Sequence, residues 1–247
     1  MTQTRMTIES QADAASGRPW GAWTSIAWVV AAMAPQQLLL LWIMHSPSRL
    51  DSIGPVLDFL MWAIGPVVIA IAVLVRRLSI ASYLAWTVPR PSDVLIAVGA
   101  ALVVIFGLGV LDYALSGGTS AGVDPDAYRQ YLAAGGTPSH YLLKSYQAYI
   151  YAPIVEETVF RGFLWRGLAA SRLGNWGAWL LTSIFFVATH AKYFAHPGAL
   201  IGAAIMGLIL GLVRWRTGSS TAPMITHSLL NLWQLGGAML SVAVGWP

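Results

Sequence analysis

The feature that most restricts how this chain can fold is its succession of apolar runs, at residues 23–44, 59–75, 94–115, 141–173, 175–189, 198–213 and 222–244. A bilayer core needs about 20 apolar residues per helical span, and inside it each segment must satisfy its own backbone hydrogen bonds. The expected fold is therefore all-α, a polytopic transmembrane helix bundle of about seven spans, with six to eight as the range. Composition agrees, with 57% hydrophobic and 10% charged residues, against roughly 25% charged in an average soluble domain. The polar stretch 1–20 lacks an apolar core and reads as a disordered N-terminal tail. Residues 21–247 read as a single transmembrane helical domain.

Composition also excludes function classes. With no cysteine in the chain, disulfides, zinc knuckles and thiol nucleophiles are ruled out. The net charge of +4 comes without clustered or aromatic-interleaved basic stretches, so nucleic acid is not expected as a partner. Under the positive-inside rule a cytoplasmic N-terminus places Arg5, Arg18, Arg76, Arg77, Arg90, Arg161, Arg166, Arg172, Arg214 and Arg216 on the inner side. Arg49, Arg129, Lys144 and Lys192 fall outside. That bias predicts a multi-pass protein of the cell membrane with its N-terminus in the cytoplasm. Arginine far outnumbers lysine, which points to a GC-rich, bacterial genome.

Against this apolar background the run Pro153-Ile-Val-Glu156-Glu157-Thr-Val-Phe-Arg161-Gly162 needs a reason. An ionisable group at mid-bilayer costs roughly 2.5–3.5 kcal/mol on insertion scales, and such groups mark a bundle interior or a wet cavity. Glu157 and Arg161 have the i, i+4 spacing and the order that favour a helical ion pair, while Glu156 points about 100° away and is the freer acid. Pro153 removes one backbone hydrogen bond a turn upstream and can kink the helix. A purely structural reading makes the three charges a buried cluster that fixes helix packing.

Other features are weaker. His45 reads as an interfacial residue and His140 as a solvated one. Asp124-Pro125 followed by Gly135-Gly136 predicts a short helix with an acidic cap, proline at its first position and a glycine stop, within the polar interval 116–139. Gly118-Thr-Ser-Ala-Gly122 matches the nucleophile-elbow string, but the strand before it and the helix after it are missing. Ala203, Gly207 and Gly211 recur every fourth residue and would permit close helix contact.

Two further runs carry polar groups that lipid would not tolerate, with His190 on one and His227 and Asn231 on the other. A carboxylate, two imidazoles and an amide can activate water against a carbonyl. A buried glutamate can take the proton, a neighbouring imidazole can share or relay it, and histidine and asparagine can donate hydrogen bonds to the oxyanion. The same groups could hold zinc through Glu156, His190 and His227.

Glu156-Glu157-x-x-x-Arg161, Phe186-x-x-x-His190 and His227-x-x-x-Asn231 resemble, in order and spacing, three motifs of the CAAX protease and bacteriocin-processing family (CPBP, also called Abi). That family includes the Ras-converting CAAX endopeptidases, and the likeness covers 153–231. The resemblance implies an intramembrane endopeptidase in which Glu156 and His190 activate water, His227 and Asn231 stabilise the oxyanion, and Glu157, Arg161 and Phe186 support them. It implies a peptide or protein substrate, prenylated or otherwise membrane-associated, in contact with membrane lipid. Members are described both as metalloproteases and as metal-free glutamate peptidases. No HExxH helix supplies an ordinary zinc site here, so no cofactor is the favoured expectation, with zinc as the alternative. The competing functions are a catalytically silent bacteriocin-immunity or scaffold protein, and a proton or cation pathway.

Overall fold

The computed structural model describes residues 19–45, 55–116, 125–190 and 197–245, and among them every regular element is helical. In chain order these are α1 Ala22–Met44, α2 Pro55–Val75, α3 Ile80–Tyr83, α4 Pro91–Ser116, α5 Asp126–Ala133 and α6 Pro138–Lys144. A π-helical turn π1 Gln147–Tyr151, α7 Ala152–Glu157, a second π-helical stretch π2 Thr158–Leu164 and α8 Trp165–Ala169 follow. The chain ends with α9 Gly174–Ala188, α10 Pro197–Thr217 and α11 Thr221–Ala243. Stretches at Pro91–Val110 and Gly198–Thr217 are long and apolar enough to cross a membrane, and Trp62–Val75 is a shorter apolar helix.

The contacts divide the chain into two compact units, Met1–Val88 with Val155–Thr221 and Pro89–Ile154 with Ala222–Pro247. The motif region 153–231 contributes to both. The elbow-like string at 118–122 lies outside the described residues. So do Lys192, Arg49 and residues 1–18 of the expected tail.

The first unit is cored by Val29, Ile69, Phe160, Phe163, Leu168 and Phe186. Trp20, which the sequence assigns to the tail, belongs to this unit. Its backbone N–H donates to the Tyr83 hydroxyl and its indole N–H to the Ala72 carbonyl, both at 3.0 Å, and Arg76 lies 4.4 Å over its ring. A large aromatic with one polar handle is anchored wherever both parts are satisfied, so the tail stops short of Trp20. Arg166, expected where this helix emerges, is half-buried and donates to the Ser82 and Tyr83 carbonyls at 3.1 and 3.2 Å. These are acceptors at the C-terminal end of α3, where the Ser82 carbonyl also takes the Ala85 N–H at 3.3 Å.

In the second unit Thr226 of α11 donates to Ala97 of α4 at 3.1 Å. The Tyr141 ring packs against Tyr128 and Tyr131 of α5, with centroids 4.7 and 5.0 Å away. The predicted short helix is α5, and its stop is a Schellman turn. Gly135 at φ +85° donates to Leu132, and Gly136 donates to Tyr131. Its start differs from expectation, with Pro125 at the cap position, no side-chain cap, and Asp126 as the acid of the first turn. His140 is exposed and bonds the Tyr131 hydroxyl at 2.8 Å, while exposed His45 bonds the Leu41 carbonyl at 2.7 Å.

The single run expected over 141–173 is interrupted. Ser145 is a turn, π segments occupy 147–151 and 158–164, and the helix ends at Ala169. A proline has no N–H to give and its ring crowds the preceding turn. Widening that turn into a π segment accommodates Pro153 while the helical path continues.

Gly167 brings α8 against α1, since a Cβ there would sit 1.9 Å from Ser25 Oγ and 3.1 Å from the Trp20 carbonyl. Gly167→Ala is expected to lower stability by about 1–3 kcal/mol through overpacking. Gly202→Ala, where nothing lies within 4 Å, should leave stability unchanged or raise it by up to ~1 kcal/mol through helix propensity. Thermal unfolding of the two variants in detergent separates them, and equal midpoints would contradict the packing.

Candidate active site

Glu157 and Arg161 face each other across the junction of α7 and π2. Arg161 Nη1 donates to Glu157 Oε1 at 3.1 Å, and both side chains are fully buried. A buried guanidinium is tolerated only with several partners, and α10 supplies the next one. Arg161 Nη2 donates to the Gly207 carbonyl at 2.8 Å, and Ser183 Oγ of α9 donates to the same oxygen at 2.9 Å. The cation also lies 4.8 Å from the centroid of the Phe186 ring.

At Gly207 the α10 backbone lies close against α9. A Cβ there would stand 3.4 Å from both Phe186 Cδ1 and the Ser183 carbonyl oxygen. At Gly211 the Cβ would meet Trp179 Cδ1 at 2.7 Å, and the Trp179 indole donates to Leu208 at 2.8 Å. The small-residue spacing Ala203, Gly207, Gly211 thus does produce close contact, between α9 and α10.

Arg214 was counted from sequence as an inner-loop cation. It is buried instead, donates Nε to the Arg161 carbonyl at 2.8 Å, and lies 5.6 Å from the Trp165 ring. Arg161 and Arg214 therefore belong to packing, which removes two residues from the inner set and still leaves it the larger.

Glu156 differs from its neighbour in the way helical geometry predicts. It is 8% exposed, and its buried Oε2 accepts no hydrogen bond among the described residues. One acid of the pair thus holds the guanidinium, and the other does not.

His190 follows the end of α9, half-buried. Its Nδ1 lies 2.7 Å from the Phe186 carbonyl oxygen. A carbonyl only accepts, so Nδ1 carries the hydrogen, and in the neutral ring the lone pair is on Nε2. The imidazole packs on the Phe186 ring with centroids 4.6 Å apart. Phe186, itself fully buried, touches the Arg161 cation and the His190 imidazole at once. The first unit therefore joins Glu157, Arg161, Phe186 and His190 in one chain of contacts.

His227 and Asn231 belong to the second unit, on α11. His227 is 2% exposed, and Asn231 Nδ2 donates to the Ala148 carbonyl of π1 at 2.7 Å. No group of three or more His, Asp or Glu side chains able to hold a metal forms among the described residues.

Sequence reasoning did not identify Ser183, Trp179, Arg214 or the Gly207 carbonyl as parts of the cluster. Only the glycine spacing hinted at them, because a backbone acceptor has no residue signature.

What these observations define is an all-helical protein that keeps an acid–guanidinium pair and an imidazole inside an apolar interior. Residues 138–233 match the family described as type II CAAX prenyl endopeptidase Rce1-like. That match is consistent with the CPBP resemblance read from the three motifs. The chain is also 32% identical over 133 residues to an uncharacterized 24.3 kDa protein of Escherichia coli, a match covering 53% of this chain and 57% of that protein. No solved structure matches the chain.

Arg161→Met removes the cation and leaves Glu157 buried without it, and should cost about 3–5 kcal/mol of stability. Adding Glu157→Gln to that variant should recover part of the loss. Thermal unfolding in detergent reads both, and a double variant no more stable than the single one would count against the pair as described.

Proposed function

We propose that this chain is an intramembrane endopeptidase that hydrolyses a peptide bond with water activated by Glu156 and His190. The observation that carries the reading is the contrast between the adjacent acids. Glu157 Oε1 is taken by Arg161, while neither oxygen of Glu156 enters an ion pair among the described residues. A carboxylate in that condition is suited to accept a proton from water.

In the proposed reaction the water oxygen attacks the scissile carbonyl carbon as Glu156 takes its proton. His190, held in one orientation by the Phe186 carbonyl, shares that proton through Nε2. The carbonyl oxygen becomes an oxyanion, which His227 and Asn231 stabilise by donating hydrogen bonds. The C–N bond then breaks, and the proton passes to the leaving amine. Glu157, Arg161 and Phe186 hold the acid and the imidazole in place.

The family match supports a peptide or protein substrate at the membrane, and a prenylated C-terminal tail is the substrate class we propose. We further propose one transmembrane domain over 21–247 with about seven spans in the cell membrane and the N-terminus in the cytoplasm. The two long apolar helices and the remaining arginine bias support this topology. The reaction as written needs no metal. Zinc on Glu156, His190 and His227 is the alternative, in which the ion would polarise the water and the carbonyl.

Glu156→Gln and His190→Ala should each reduce cleavage of a prenylated peptide by purified protein at least ~100-fold, with unfolding midpoints close to wild type. Undiminished cleavage by either variant would refute the assignment and favour a silent scaffold or an ion pathway. Cleavage should also persist after exhaustive dialysis against a chelator; loss that zinc restores would establish the metal version.

A further inference from the structure

Pro153 and Asn231 stand far apart in sequence, and the hydrogen bonds around π1 connect them. In helical geometry the Ala148 carbonyl has two backbone donors within reach, the N–H groups four and five residues on, in the α and π registers. The first belongs to Ala152, which gives its N–H to Gln147 instead. The second position is Pro153, which has no N–H. The backbone therefore leaves the Ala148 carbonyl with neither donor, and Asn231 Nδ2 fills the place at 2.7 Å.

We infer that Pro153 is a positioning residue for Asn231. By withholding a backbone donor it frees the Ala148 carbonyl to seat the side-chain amide of α11. A carbonyl oxygen accepts only from the nitrogen end, so the contact also decides which way the amide faces. One Nδ2 hydrogen is used on Ala148, and the other hydrogen remains for donation elsewhere. All three residues lie in the same compact unit. The seat stands apart from the proposed reaction, and its use in orienting an oxyanion donor rests on that reading.

The test is a double-mutant cycle on the purified full chain in detergent, read by the unfolding midpoint. Pro153→Ala restores an N–H that can serve Ala148, so Asn231→Ala should lower the midpoint in wild type and by less than half as much in the Pro153→Ala background. Strictly additive shifts would overturn the inference. Should Pro153→Ala fail to fold, Asn231→Asp decides the matter at neutral pH. Setting a carboxylate oxygen against the carbonyl should lower the midpoint further than Asn231→Ala does, and a midpoint at or above that of Asn231→Ala would overturn the seat.

In a peptide-cleavage assay, Pro153→Ala should lower kcat at least tenfold with KM within twofold. Unchanged kcat would reduce the contact to packing and overturn the positioning role. If wild-type protein cleaves nothing, the proposed reaction fails while the midpoint cycle still judges the seat.

Discussion

Burial of the Arg161 guanidinium is the constraint around which the first unit is organised. A permanently charged group without exposed surface must be met by an opposite charge, by oriented dipoles and by polarisable rings. Glu157 gives the charge, the Gly207 carbonyl the dipole, and Phe186 the ring. Each requirement fixes a helix. The acid must lie one turn away, α10 must approach closely enough to bring a backbone oxygen, and α9 must present an aromatic at the contact. His190 follows at one turn from Phe186, so the same demand that anchors the cation also sets the imidazole.

Helix irregularity is the second theme, and it has an identifiable cause. A regular helix uses its carbonyls first on its own backbone, although each oxygen keeps a second lone pair that a side chain can reach. Here Pro153 and the π segments on either side of α7 alter that accounting, and two carbonyls of this region take side-chain donors. Ala148 receives Asn231, and Arg161 receives Arg214. Both acids lie on the short α-helical turn between the π segments. Two side-chain donors, Asn231 and Arg214, are thereby satisfied by backbone oxygens and not by additional side chains.

Much of this was legible from the residues alone. The i, i+4 order of Glu157 and Arg161 predicted their pairing, the 100° offset predicted that Glu156 would stand apart from it, and the small-residue spacing on α10 predicted a close helix contact. Arg214 was misread as an interface cation because a basic residue near the end of an apolar run looks the same whether it meets lipid headgroups or a buried carbonyl. Trp20 was misread because its partners, Tyr83 and Ala72, lie more than fifty residues away. The continuous helix over 141–173 was an overextension, since hydropathy does not register a change of helical pitch.

What the sequence by itself determined is the helical class, the pairing of Glu157 with Arg161 and the close contact at the small-residue spacing of α10. All three follow from local periodicity and from the cost of placing charge in an apolar medium. Which backbone oxygens would receive Arg161, Arg214 and Asn231 was decided only by the tertiary structure. Every residue carries a carbonyl, so nothing in the string of letters distinguishes the one that a neighbouring helix will leave open.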